Sequence, residues 1–362
     1  MRKQGLIGLV WAMSSLAFAT DELSWLKGQI RQHSKDAPTL VQSYADASAS
    51  YTYDQALAAI TFTSAGEIET AKKLLAGLAR LQDSEGSWAF AYSLDGSLRE
   101  GRKPLGAMAW ATLAFVRYQQ QTKDARFQAT WHKGLEFLEA MLVPLPDNPM
   151  ARGIRFAPSD APNTNWDETQ TAALEHAVDA MAAFNAAHKL DGNPRWKTHA
   201  EALKHFVLHL WDEDRKHFWS GLNLVTGKIN RSEFYLDNQS WTLLALEKSD
   251  EQKFKAAMRA ACALQVRGEK GIGFKERRSP ASKADFVWSE GTAGAALALE
   301  ALAQDCDHAS TKDYLSQLET MTEAGGVRYA DRPGIEDFSY SPSVAGTAWT
   351  WFLRRRLNPF KT

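Results

Sequence analysis

Apolar positions recur at helical spacing through nearly the whole chain, and the segments they mark are of two kinds. In one kind small and apolar residues run almost unbroken, as from Gly106 to Ala114, Gly291 to Leu302 and Val344 to Trp351. In the other, charge covers part of the surface, as from Ala71 to Arg80 and Glu251 to Arg259. The pattern predicts helices over Glu22–Gln32, Tyr53–Ala65, Glu67–Leu81, Pro104–Gln121, Ala125–Met141, Asp167–Ala187, Pro194–Leu210, Leu236–Leu246, Glu251–Arg267, Ser289–Ala303, Ser310–Thr322 and Ser343–Arg355. An all-α class follows. Short turns such as Ala65-Gly66, Thr122–Asp124 and Leu190–Asn193 join alternate helices into antiparallel hairpins.

The longer connections resemble one another. Glycine and an aromatic recur after successive hairpins, at Gly86-Ser87-Trp88 to Tyr92, Gly153–Phe156, Phe218–Gly221, Gly271–Phe274 and Gly325–Tyr329. The first helices of the units begin at steps of 51, 63, 69, 53 and 54 residues. A unit of this size cannot bury its own apolar face, so six hairpins are expected to close into a ring, with the N-terminal helix beside the last. The alanine-rich helices crowd the axis and the charged ones lie outside.

Arg2 and Lys3 precede the apolar run Gly5–Phe18, and Ala17-Phe18-Ala19 supplies a small-x-small cleavage site. Residues 1–19 therefore read as a signal peptide and residues 20–362 as a single domain of an exported protein, periplasmic or secreted. The run is too short for a permanent anchor, so no integral membrane segment is expected after cleavage. In an oxidising compartment Cys262 and Cys306 either pair or pack as two small hydrophobic thiols. A net charge of -1, from 42 basic and 43 acidic residues, gives no field to recruit nucleic acid or an anionic membrane. A monomer is expected. Thirteen tryptophans change the picture, because many stand in loops beside glycine or acid, where a flat ligand would meet them. Roughly half of them read as core filling.

Candidate chemistry centres on Asn163–Ala187, where a polar loop bearing Trp166 runs into a helix. Helical spacing would set Glu168, Glu175 and Asp179 near one face among alanines, as if looking into a cavity. In a ring whose inner helices all start at one end, Asp54, Glu168, Asp237 and Glu290 fall in first turns and face one mouth. Asp54 also fits a capping role, with Thr52 and Gln55 forming a capping-box pattern, and Asp237 also fits as an N-cap. Glu175, inside a helix, has no such role, and Gly291 leaves space beside Glu290. His176 and Asp179 have spacing compatible with a metal, but with no two further ligands a hydrogen-bonded core histidine is the better reading, and no metal is assigned.

Tyr51–Leu57, Gln82 to Trp88, Glu175–Ala180, Leu236–Trp241, Trp288–Thr292 and Ala345–Trp349 together resemble, in order and spacing, the bacterial six-hairpin glycosidase-like superfamily, over roughly Tyr51 to Phe352. The resemblance implies an (α/α)6 toroid with a carbohydrate cleft at its mouth, and many such proteins are glycoside hydrolases with acidic catalytic residues. The chain departs from the pattern at Ala177, where asparagine is common, and Thr169–Ala173 is less polar than the pattern.

Hydrolysis needs one carboxyl to protonate the leaving oxygen and a second to activate water or attack the anomeric carbon. Glu175 and Glu290 are the expected pair, with Asp237 next for either role. Asp54, His176 and Asp179 are expected to hold sugar hydroxyls or tune a neighbour, and Trp88, Tyr92, Trp166, Trp241 and Trp288 to stack on sugar rings. The partner is then an oligosaccharide or polysaccharide, and no cofactor is implied. A lyase or epimerase on the same ring would draw on Tyr53, His176, Arg155 or Arg328 as base and clamp. A non-catalytic envelope protein that binds glycan is a third reading. A terpene cyclase lacks support, since no DDxxD or DxDD segment occurs.

Overall fold

The computed structural model describes residues 22–159, 169–246, 250–278, 285–307 and 309–361. The region read as a signal peptide lies outside them, as do Trp166 and Glu168. The helices, in chain order, are α1 (residues 22–28), α2 Thr52–Ser64, α3 Ile68–Leu81, α4 Leu105–Thr122, α5 Gln128–Ala140 and α6 Leu174–Asp191. They continue with α7 Pro194–His209, α8 Leu236–Leu246, α9 Glu251–Ala261, α10 Ser289–Ala301, α11 Thr311–Thr320 and α12 Val344–Arg355.

The even-numbered helices form the inner ring. Each packs on the next, α2 on α4, α4 on α6, α6 on α8, α8 on α10 and α10 on α12, and α12 returns to α2. Their composition explains the placement. In α2, Ala56 to Ile60 have no exposed surface, and every other inner helix is buried nearly all round, so no single face is apolar. The outer helices are amphipathic. In α3 the buried residues Ala71, Leu74, Leu75 and Leu78 make one stripe, while Glu69 and Lys72 pair outside. Burying each such leucine contributes about 1.5–3 kcal/mol. α1 closes the outer layer: Glu22 bonds Arg354 of α12 at 3.3 Å, and Trp25 lies so close to Gly326 that a Cβ there would meet its ring.

Between the hairpins the chain is less helical than its pattern predicts. The glycine-aromatic elements are strands of small antiparallel hairpins, such as Gln265–Arg267 with Ile272–Phe274 and Thr322–Glu323 with Gly326–Arg328. First-turn side chains of the inner helices then lock these strands in place. Thr292 accepts the Phe274 N–H, Thr347 accepts the Val327 N–H, and Gln239 bonds both backbone groups of Phe218, all at 2.9 Å. Each such buried bond is worth about 1 kcal/mol. These bonds fix three of the mouth loops relative to α8, α10 and α12, the first two of which carry a candidate acid.

Three helices differ from expectation by four residues or more at one end or both. The helix drawn to Gln32 ends at residue 28, because Ile30–Arg31 is extended and pairs with Leu40–Val41. The helix that carries Glu175 starts at Leu174 and not at Asp167, because Thr171–Ala173 is extended and pairs with Gly221–Asn223. The helix drawn to Arg267 ends at Ala261, because Gln265–Arg267 is drawn into a hairpin. Cys262 and Cys306, left open above, are joined by a disulfide.

Candidate active site

The mouth end of the ring encloses a cavity of about 310 Å³. Five carboxyls line it: Glu175 and Asp179 from α6, Asp237 from α8, Glu290 from α10, and Glu276 from the loop before α10. Phe90, Phe156, Trp288, Tyr329 and Phe338 form its walls, Trp110 and Trp241 lie at its base, and Arg102 stands at the edge with its guanidinium over Phe90. The small first turn of α4 lets two helices close up here. A Cβ on Gly106 would fall 2.6 Å from the His176 ring and 2.9 Å from an Asp179 oxygen.

Glu290 is the most tightly held of the acids. Tyr53 donates to Oε1 and Tyr329 donates to Oε2 at 3.0 Å. Tyr53 itself accepts the Trp349 indole N–H at 2.9 Å, which orients its own proton toward Glu290. Burial pushes the Glu290 carboxyl up to about 8, against the pull of the two tyrosines. Glu175 lies deep but keeps part of its surface open to the cavity, and burial, then the charges of Glu290 and Glu276, raise it to about 7. Asp179 and Asp237 are held well above the usual carboxylate range, by burial first and then by Glu175. Trp110 draws Asp179 back a little, from a position short of a well-formed hydrogen bond. Asp237 caps nothing beyond its neighbour, accepting the Asn238 N–H at 2.6 Å. Burial lowers His176 to about 4, so its imidazole is neutral at pH 7, packed 4.3 Å from the Phe156 ring.

Several expected binding residues stand elsewhere. Asp54 is buried behind the cavity, accepting from Ser43 and from the Ala345 N–H, where burial raises it to about 7. It ties α2 to the first turn of α12, whose Ala345 N–H it satisfies, and does not line the mouth cavity. The Thr52 hydroxyl, assigned a capping-box role, instead donates to the Ala89 carbonyl at 2.6 Å. Trp88 is fully buried, donating to the Leu78 carbonyl, and Tyr92 accepts the Ala89 N–H at 2.8 Å, so both brace a loop and neither is a stacking platform. Trp241, Trp288, His176 and Asp179 do line the cavity. Sequence reasoning missed Glu276, Arg102, Phe90 and Phe338. Among the described residues no group of three or more His, Cys, Asp or Glu is arranged to hold a metal, and no helix is long and apolar enough to cross a membrane.

With six inner and six outer helices around one mouth among the described residues, the chain has an (α/α)6 toroid fold. Solved structures share it along nearly their whole length. A sugar epimerase from a ruminal bacterium superposes with a TM-score of 0.72 at 11% identity, covering 95% of this chain and 98% of its own. A glycosidase variant in complex with glucose gives 0.69 at 11%, covering 96% and 98%. A GH76 α-mannanase from Bacteroides thetaiotaomicron gives 0.65 at 12%, covering 96% of each chain. No family model and no curated protein matches the chain.

Proposed function

We propose that this protein is a carbohydrate-active enzyme that hydrolyses a glycosidic bond in the mouth cavity. The observation that carries the reading is a pair of carboxyls, Glu175 and Glu290, both raised into the neutral range and facing one aromatic-walled space. The pair divides the labour by its hydrogen bonds. Both Glu290 oxygens accept tyrosine protons, which suits a charged carboxylate, even though burial leaves its value above that of Glu175. Among the described residues no hydrogen-bond donor engages Glu175, which suits the protonated acid. In the reaction the Glu175 proton passes to the leaving oxygen as the C–O bond breaks, and Glu290 takes a proton from the water whose oxygen bonds the anomeric carbon. Asp237 and Asp179 keep the shared charge low. Trp241 and Trp288 offer faces for sugar rings. That the similar folds include glycosidases supports this class of substrate.

A second reading, epimerisation, draws on one observation: a neutral His176 beside the cavity can act as a base, and epimerases share the fold. Export belongs to the proposal too, and the Cys262–Cys306 disulfide fits an oxidising compartment.

Mass spectrometry of products from neutral, uronic and cell-wall oligosaccharides separates these readings. Hydrolysis gives fragments that together gain one water, with turnover falling roughly 10²–10⁴-fold in Glu175→Gln and Glu290→Gln. Unchanged mass with altered mobility means epimerisation, and fragments of unchanged total mass mean a lyase. Binding without conversion across the panel means a glycan-binding protein.

A further inference from the structure

Beyond α12 the chain turns back into the ring. Arg356 takes a left-handed backbone conformation, φ 55°. The Asn358 amide donates to the Leu244 carbonyl in α8 at 2.7 Å, and its oxygen accepts the Phe360 N–H at 3.0 Å. Arg117 of α4 donates to the Phe360 carbonyl. These ties carry Phe360 inward until it is 3% exposed.

There its ring meets three tryptophans, with centroids 4.9 Å from Trp110, 5.7 Å from Trp241 and 6.2 Å from Trp349. The tryptophans also pack on one another: Trp241 stacks on Trp349 at 5.3 Å, and Trp110 stands edge-on to both. Trp110 and Trp241 line the mouth cavity, whereas Phe360 lines a separate rear cavity of about 200 Å³ with Arg117 and Leu246. The phenylalanine therefore backs the tryptophan layer that separates the two spaces. It also touches Trp349, the donor to Tyr53, which in turn donates to Glu290.

We propose that the C-terminal tail is a plug in which Phe360 is a positioning residue: it keeps the tryptophan floor dry and holds Trp349 and Tyr53 in line on Glu290. An apolar ring suits the task, because it fills the gap without offering Trp349 a competing acceptor. The inference rests on Glu290 being a working carboxyl, so its test uses readouts that need no substrate.

Phe360→Ala, Phe360→Leu and Asn358→Ala, the last freeing the tail without cutting the core, are first matched to the parent for helicity by circular dichroism. Acrylamide quenching of tryptophan emission then reports water at the floor. Carboxyl ¹³C titration of glutamate-labelled protein, with Glu290 assigned by its loss in Glu290→Gln, reports the site. The groups whose charges bear on Glu290 are Tyr53 and Asp54 of α2, Glu175 and Asp179 of α6, Asp237 of α8, Tyr329 and Tyr44. None of them is altered by these variants.

Phe360→Ala and Asn358→Ala are expected to raise quenching about twofold and to move the Glu290 titration, down where water relieves its burial and up where Tyr53 no longer donates, with Phe360→Leu recovering most of both. A lowered unfolding midpoint with unchanged quenching and unchanged titration would overturn the proposal, leaving the tail as an anchor only. If Phe360→Ala does not fold, Asn358→Ala decides by the same two readouts. Loss of the hydrolase reading leaves these outcomes standing, and an active enzyme with an unmoved Glu290 sinks the plug alone.

Discussion

Tyr53 sits between an indole that can only donate and a carboxylate that can only accept, so its proton has one useful direction. Replacing it by phenylalanine keeps the ring against Trp110 and removes that proton. The charged form of Glu290 then loses a donor and its titration moves further up; because it already lies above Glu175, the falling limb of the pH–rate profile shifts to the alkaline side while the maximum drops. Turnover at pH 7 is expected to fall about tenfold with substrate binding little changed, a balance of about 1.4 kcal/mol. An unshifted limb would mean that Glu290 is not the base. Asp237 and Glu290 were legible in the sequence because each was expected in the first turn of a repeated unit, and Glu175 because an acid read as interior to an alanine-rich helix has no capping role. Glu276 was not, since it lies in a charged loop where no period marks it. Trp88 and Tyr92 were misplaced for a different reason: a glycine-flanked aromatic looks the same whether its N–H or O–H faces a ligand or a neighbouring loop.

At the scale of elements, hairpin count and pairing were legible because inner and outer helices differ in how much charge they carry. The strands were not, because two- or three-residue segments carry no readable alternation. Thr171–Ala173 shows the cost: its alanines fit a helix, and only pairing with Gly221–Asn223 makes it extended. The disulfide acts between elements. It joins the end of α9 to the segment after α10 across 44 residues, closing a loop whose chain entropy is worth ~4 kcal/mol. Calorimetry with and without reductant should show the melting temperature falling by several degrees on reduction, and the Cys262→Ala, Cys306→Ala double variant should match the reduced protein. An unchanged melting temperature would mean that the crosslink constrains little in the unfolded chain.

Across the whole molecule the buried acids make stability depend on pH in an unusual sense. Asp54 and Glu175 are raised to about 7 and Glu290 to about 8 from ordinary values of 3.8 and 4.5. Each binds its proton more tightly when folded, so stability is lost as pH rises through that window. His176, lowered to about 4 from 6.5, opposes this below pH 6.5 but is a single group. Denaturant unfolding should therefore show the free protein losing a few kcal/mol between about pH 5 and pH 8, and Asp54→Asn should flatten part of the slope. A flat or rising profile would mean that these carboxyls are solvated. The ring itself was legible from five echoes of one loop, whereas the rear plug was not, because Asn358–Thr362 has no period and its role depends on helices far away in the chain.

The joint between α12 and α2 also governs how the protein comes into being. Tyr53 and Trp349 are 296 positions apart, and Tyr53 and Glu290 are 237 apart. During synthesis α2 leaves the ribosome long before either partner exists, and it waits with one flank open until the last helix arrives. Contacts of such range form late and slowly. A product cut short of α12 thus holds all five cavity acids with no assembled site, and the chemistry waits on a residue made 296 positions after Tyr53.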